Sequence, residues 1–403
     1  MPNTPGLGKQ PANAPQDPPA SEDAARPAPA LPAGIVFEGP AFGPVGQACE
    51  ASAQLLTLAR VGVPVCLVPT DSPDDSGSPL GSATRQQLES LTHTKLDLAR
   101  SVLYRATVPP DWSLDYYGRC RIGRAGFWTD RIPRSWVEPC NAMDEVWVPS
   151  EFQRQAFVDS GVQAQKLRVL RAGVDTTFFC PGQPPLAIPE RRSFNFLSVS
   201  NLRDRQGTEL LLTAFAQEFH PDEDVSLTLK IVPSRQRSMD PGSELAFFLE
   251  RSAGVALENC APLILLEEWP SASGRASLYA AADAFVLPAH GVASGRTLLE
   301  ALASELPVIA TGWGGPLEFL NDSIGYLIDL EGLVPVPYGE EFLAGHRWAN
   351  PSPAHLRQCL REVFAHPEEA RKRGRQGRQT VVENWDCRAL FPRWESEFRR
   401  LLA

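Results

Sequence analysis

The residues best suited to chemistry lie between Ala284 and Leu320. Gly295, Arg296, Thr297 and Glu300 open a helix-like stretch that follows an apolar run, Ala284-Phe285-Val286-Leu287-Pro288. A second apolar run, Pro307-Val308-Ile309-Ala310, leads to the pair Gly314-Gly315 and then to Glu318. Strand, glycine loop, helix start, strand, glycine loop is how an α/β sheet builds a phosphate site. Backbone N–H groups converge at a helix N-terminus, and small residues let a ligand reach the backbone. Upstream, Arg203, Arg205 and Gly207 follow the apolar run Phe194–Val199 and add cations to the set. Plain alternatives stand beside each residue. Glu300 is otherwise an exposed helix acid, and Glu318 a carboxylate in a helix first turn, where negative charge is favourable. Gly295 is otherwise a turn glycine, the two upstream arginines surface charges, and His290 a packed rim residue.

The elements that must position these residues alternate. Gly34–Phe37 reads as a strand, Gln47–Val61 as a helix and Val63–Val68 as a strand. That βαβ unit implies a doubly wound parallel sheet. A helix over Thr84–Leu91 and strands at Ser101–Val108, Val146–Pro149 and Leu167–Leu170 continue it, with Ser150 capping a helix from Glu151. Residues 111–136 mix Trp, Tyr and Arg and resist assignment. The proline-rich Pro181–Arg192 reads as an interdomain linker. A second α/β run follows, with strands at Phe194–Val199, Ser226–Val232 and Leu263–Leu266 and helices at Thr208–Glu218, Ser243–Ser252 and Ser277–Ala282. Beyond Leu330 the chain reads as irregular to Pro353, then helical over Ala354–Phe364, Pro367–Asn384 and Ala389–Leu402. The expected domains are 34–185, 186–375 and C-terminal helices over 376–403 that pack back on the first domain. Residues 1–33 hold nine prolines and almost no bulky apolar residue. They cannot bury enough surface to offset their ordering entropy and are expected to be disordered.

Composition narrows the classes. The chain has 403 residues, enough for two domains, with 43% hydrophobic and 21% charged residues, as in soluble globular proteins. A net charge of -10 argues against a general nucleic-acid surface. Neither a run long enough to span a membrane nor a signal-peptide pattern is seen, and a cytoplasmic location is expected. The cluster Trp112, Tyr116, Tyr117, Arg119, Arg121 and Arg124 could touch a membrane surface peripherally. The eight cysteines lack C-x-x-C spacing and read as reduced thiols. The histidines show no ligand spacing, so no metal is expected.

Three segments in order resemble the retaining group 1 (family four) nucleotide-sugar glycosyltransferases. They are Met143–Phe152 (MDEVWVPSEF), Gly173–Phe179 (GVDTTFF), and Leu298–Ala303 through Pro307–Thr311 to Gly314-Gly315 and Glu318. The resemblance covers most of residues 34–385. It implies the GT-B fold, two doubly wound Rossmann-like domains with the donor cleft between them. It further implies a hexosyltransferase-type enzyme using a nucleoside diphosphate sugar as co-substrate, with no cofactor or metal. Glu300 matches the family's second glutamate, on the donor ribose. Gly295, Arg296, Thr297, Gly314, Gly315, Glu318, Arg203, Arg205 and Gly207 fall on the donor side, and Gly43 and Gly46 on the acceptor-side loop. The chain departs from the pattern at three places: Val292 stands where the family's first glutamate belongs, and Asn201 and Gln206 where it has basic residues. The alternative function is therefore a catalytically impaired glycosyltransferase-like protein serving as a binding or scaffold partner. No catalytic residue is assigned from the sequence.

Overall fold

The structure is a computed structural model that describes residues 30–43, 46–72, 80–112, 118–200, 205–231, 240–267, 274–337 and 340–403. Most of the proline-rich N-terminal segment lies outside these residues.

The first domain alternates β1 (Ile35–Gly39), α1 (Gly46–Arg60), β2 (Val65–Pro69), α2 (Ser82–Leu91), β3 (Val102–Arg105), β4 (Cys120–Arg124), α3 (Arg134–Ala142), β5 (Glu145–Val148), α4 (Glu151–Asp159) and β6 (Leu167–Val169). Its strands pair in parallel in the order β2-β1-β3-β4-β5-β6. Ser150 caps α4, its hydroxyl accepting from the Gln153 N–H at 3.2 Å.

The stretch 111–136 resolves into β4 and the start of α3. Several of its described aromatic and basic residues are turned to packing. Trp112 is buried, Arg124 is buried on Glu50 at 2.7 Å, and Arg121 lies by Asp144. The expected membrane-facing cluster is corrected on this point: Trp112 and Arg124 are not surface groups, and Tyr116 and Tyr117 lie outside the described residues.

The second domain runs β7 (Phe194–Ser200), α5 (Thr208–Glu218), β8 (Val225–Ile231), α6 (Pro241–Phe248), β9 (Leu263–Leu266), α7 (Gly274–Ala280), β10 (Ala284–Leu287), α8 (Arg296–Ala303), β11 (Val308–Thr311) and β12 (Tyr326–Ile328). The strand order is β12-β11-β10-β7-β8-β9, all parallel. Every residue of β7, β8, β10 and β11 is buried, as expected for strands covered on both faces by helices. The order reverses between β7 and β10. Ligands of open α/β sheets bind outside the carboxyl ends of the strands at such a switch point.

The stretch after Leu330, read as irregular, forms an antiparallel hairpin instead, β13 (Leu330–Pro335) with β14 (Arg347–Pro351). Its prolines, a glycine and a register shift near Leu330 and Leu333 hide the strand alternation.

Three helices end the chain: α9 (Pro353–Ala365), α10 (Pro367–Asn384) and α11 (Cys387–Leu402). α11 returns to the first domain. Trp394, Phe398 and Leu401 are buried there with Tyr104 and Trp147, Phe398 lying 5.0 Å from Trp147 and 5.4 Å from Tyr104 by ring centroids. Each such side chain contributes roughly 1.5–3 kcal/mol by burial. The strand-like bridge of Val174 with Asp386 ties the segment after β6 to the α10–α11 corner.

Candidate functional site

The switch point brings together the loops that follow β7 and β10. The Arg205 guanidinium donates to the Gly291 carbonyl at 2.8 Å, and the His290 N–H donates to the Arg205 carbonyl at 2.7 Å. Gly207, two residues on, stands before α5 and packs on the Pro288 carbonyl. Arg203 and Asn201 lie outside the described residues. Gly295 caps α8 with φ +73, in the left-handed region a side chain disfavours, and so turns the chain into the helix. Arg296 and Thr297 form the first turn of α8, both partly exposed.

The glycine pair allows a close approach of two loops. A Cβ on Gly315 would collide with the Ala293 carbonyl oxygen, and the Gly315 N–H donates to the Val292 carbonyl at 3.1 Å. The second glycine loop therefore packs onto the first, and the Gly315 N–H is already taken. Gly314 packs against the same Val292 backbone. Val292 turns its side chain toward the apolar cluster of this domain, where a glutamate would be costly.

Glu300 is buried, with 1% of its side chain exposed. Its Oε1 accepts from Arg275 Nη2 at 2.6 Å and from Arg296 Nε at 2.8 Å, and its Oε2 accepts from the Tyr279 hydroxyl at 2.8 Å. Burial opposes its ionisation, but the two guanidinia outweigh burial and hold the carboxyl below its ordinary value. Tyr279, buried beside that anion, has its pKa raised. The open ribose-facing carboxylate expected from the sequence is thus a closed cage in this structure. Arg275 and Tyr279 went unread in the sequence. The signal was present: both are four residues apart on α7, as Arg296 and Glu300 are on α8, and such pairs share a helix face.

Glu318 lies at the second glycine loop but reaches the other domain. One oxygen accepts from the Glu151 N–H at the start of α4, the other from Arg171 Nε at 2.8 Å. It caps a helix N-terminus across the domain boundary. In this arrangement both oxygens of Glu318, expected at a donor hydroxyl, are occupied by the first domain.

On the first domain, the loop of Gly43 is closed by an acid the sequence did not single out. The N–H groups of Ala41, Phe42 and Gly43 all donate to the Asp71 carboxylate, at 2.9, 2.9 and 2.7 Å. The Gly43 N–H is therefore committed to Asp71. Gly46 begins α1.

Between the domains lies a cavity of about 310 Å³. Gln47, Glu50 and Thr107 line it from the first domain, and Arg205, Ser294 and Arg296 from the second. Beside it the domains meet through the β13–β14 hairpin. Thr129 Oγ1 is 2.8 Å from His346 Nδ1, and the Asp130 N–H donates to the Arg347 carbonyl at 3.0 Å; within the second domain, His290 stacks on Trp348 of the hairpin. Burial lowers the pKa of both histidines. His290 Nδ1 is also 2.8 Å from the Ala349 carbonyl, which makes it a packed residue of the rim. Among the described residues no group of three or more His, Cys, Asp or Glu is placed to hold a metal ion, the cysteines are free, and no helix is long and apolar enough to cross a membrane.

Two Rossmann-like domains facing a cleft, with a C-terminal helix returned to the first, define the GT-B class. Solved structures agree on the fold. A sucrose-phosphate synthase of Thermosynechococcus elongatus superposes with TM-score 0.66 at 18% identity, covering 92% of this chain and 99% of that one. HepE of Anabaena in complex with UDP-glucose gives 0.63 at 16%, covering 91% and 99%. Residues 193–334 match the family model described as Glycosyl transferases group 1. That match lies within the second domain, from β7 into β13. In sequence it is 26% identical over 285 residues to an alpha-maltose-1-phosphate synthase of Mycolicibacterium smegmatis, covering 67% of each. It is 29% identical over 171 residues to a D-inositol 3-phosphate glycosyltransferase of Corynebacterium diphtheriae, spanning 38% of that protein.

Proposed function

We propose that the protein transfers a hexosyl group from a nucleoside diphosphate donor to an acceptor held on the first domain, with retention of anomeric configuration. One observation carries the reading: the residues matched by the family model include the loops that bring Arg205, Ser294 and Arg296 to the interdomain cavity. As the bond from the anomeric carbon to the diphosphate breaks, the electron pair leaves on phosphate oxygen. Guanidinium groups and the N–H groups of the first turn of α8 meet that charge, and fixed cations lower such a barrier more than mobile water does. Arg296 suits this role because it lines the cavity and its hydrogen bond to Glu300 is made through Nε. Glu300 then serves by fixing Arg296 and Arg275. Arg205 takes the place of the basic residues missing at Asn201 and Gln206, and the reaction as proposed needs no metal. Glu50, Gln47 and Thr107 line the acceptor side. HepE is described in complex with UDP-glucose, so a uridine donor is the first to try. The inositol phosphate named for one relative is the first acceptor.

A second reading, a binding partner without turnover, draws on the apolar setting of Val292 and the occupied oxygens of Glu300. Diphosphate release from UDP- and GDP-sugars, measured with and without D-inositol 3-phosphate, separates the two. Acceptor-dependent release supports the enzyme. Nucleotide binding without release under any donor supports the second reading.

A further inference from the structure

The first sheet has a switch point of its own, because its strand order reverses between β1 and β3. Tyr104 and Thr107 stand at the carboxyl end of β3, and Gln47, Glu50 and Gln54 on α1, which follows β1; all line the cleft cavity. Two features of this wall point to a ligand. The first is a pair of orphaned hydroxyls. The Tyr104 ring is fully buried, 4.9 Å from Phe37, 5.6 Å from Trp147 and 5.4 Å from Phe398 by centroids, and its hydroxyl has no protein partner. Burial raises its pKa and keeps it a donor. The Thr107 hydroxyl is also buried without a partner. A buried hydroxyl without a bond costs stability, so two at one cavity mark a place where a ligand supplies the bond.

The second feature is charge. Among the described first-domain residues that line the cavity, Glu50 and Arg124 alone are charged, and they pair with each other. Arg124 is committed to Glu50 Oε1 at 2.7 Å and to the Leu170 carbonyl at 2.8 Å. Gln54 donates to the same Oε1 at 3.1 Å, and Glu50 Oε2 is left without a protein partner. The backbone cradle after β1 that could meet a phosphate, the N–H groups of Ala41, Phe42 and Gly43, is filled by Asp71. A carboxylate oxygen accepts from ligand hydroxyls and repels a phosphate.

We propose that this wall binds an uncharged polyol, a sugar or a cyclitol, its hydroxyls meeting Tyr104, Thr107 and Glu50, and that it disfavours the phosphorylated form. Free inositol is then preferred to its phosphate. Calling the polyol the acceptor rests on the transfer proposed above; its binding does not.

The test is ligand-observed NMR titration of the full chain in excess UDP, which occupies the cations of the second domain. The probes are myo-inositol, glucose and mannose, each beside its monophosphate. At least one neutral polyol is expected to saturate and to bind about tenfold or more tightly than its own phosphate. Tyr104→Phe and Thr107→Val are each expected to weaken that polyol about tenfold. Their melting temperatures are expected to hold or rise, since neither change removes a bond within the protein. A merely structural hydroxyl would do the reverse, lowering the melting temperature and leaving the affinity alone. Glu50→Gln keeps a carbonyl for Arg124 and is expected to narrow the gap between polyol and phosphate. Phosphates binding as tightly as their polyols, an unchanged polyol affinity in both hydroxyl variants, an unchanged gap in Glu50→Gln, or no polyol binding at tens of millimolar each overturns the proposal. UDP titrated alone keeps the two readings apart. UDP binding without any polyol sinks this proposal only, and polyol binding without UDP sinks the donor reading only.

Discussion

Two carboxylates eighteen residues apart on one motif do opposite work, and the difference tells how this cleft is built. Glu300 looks inward: two arginines and a tyrosine from its own domain close around it, and it stiffens the wall where the cations stand. Glu318 looks outward: it takes the N–H of Glu151 and the guanidinium of Arg171, both from the first domain. One acid organises the site; the other holds the two domains together. A motif read as two donor-binding acids is therefore divided between a contact within the second domain and one across the domain boundary.

The sharpest way to break the comparison is to remove Glu300. Glu300→Ala leaves Arg275 and Arg296 facing each other without their anion, and breaking a buried pair in this way costs about 3–5 kcal/mol. Denaturant unfolding is expected to show that loss, and nucleotide affinity is expected to fall with it. Glu300→Gln keeps hydrogen-bonding capacity and is expected to fall between. If Glu300→Ala is as stable as the parent, the cage is not the support described here.

Val292→Glu asks whether the family's missing acid is missing for lack of room. With the side chain packed toward the apolar cluster, a carboxylate there is expected to cost about 1–3 kcal/mol and to leave donor turnover unimproved. A raised rate would mean that the new acid turns to the cleft and that Val292 was the limit.

Glu318→Ala is expected to cost less, about 1 kcal/mol or below, because Arg171 is 38% exposed and solvent screens the pair. Its effect should appear as shape: small-angle scattering is expected to give a larger radius of gyration as the domains part. An unchanged radius with lost nucleotide affinity would make Glu318 a donor ligand after all.

The smallest effect expected is one of pH. Burial keeps the imidazoles of His290 and His346 below their ordinary 6.5; near His346, Asp130 pulls the value up and Arg131 pushes it down. Above 6.5 both residues are neutral whether folded or not, and their full contribution is present. Below it, the unfolded chain binds protons that the folded one refuses, so stability falls as pH drops from 6.5 toward the folded values. The melting temperature is expected to decline between pH 7 and pH 5, and His346→Asn to flatten the decline. A flat parent curve would count against the hairpin contact as a pH-sensitive joint.

Much of the fold was legible because apolar strand runs and helix caps are local signals. Val65–Pro69, Phe194–Ser200 and Val308–Thr311 declare themselves by composition, and Ser150 caps the helix its position announces. β4 hid behind charge, since Arg121 and Arg124 are strand residues paired with acids distant in sequence. α3 hid behind Pro139 inside it, and the β13–β14 hairpin behind its prolines. The site was legible as backbone and less so as side chains. The loops converge on the switch point, but the partners of Glu300, Glu318 and Gly43 come from other helices, the other domain and Asp71. Those pairings are fixed by tertiary packing, which no spacing within one segment specifies.

The most direct test of the donor site is calorimetric titration of UDP and GDP into the parent, Arg296→Ala and Arg205→Ala. A saturable interaction of a nucleoside diphosphate with the parent, weakened about tenfold or more in Arg296→Ala and in Arg205→Ala, is the predicted result. No binding at millimolar nucleotide, or equal affinity in all three proteins, would contradict it.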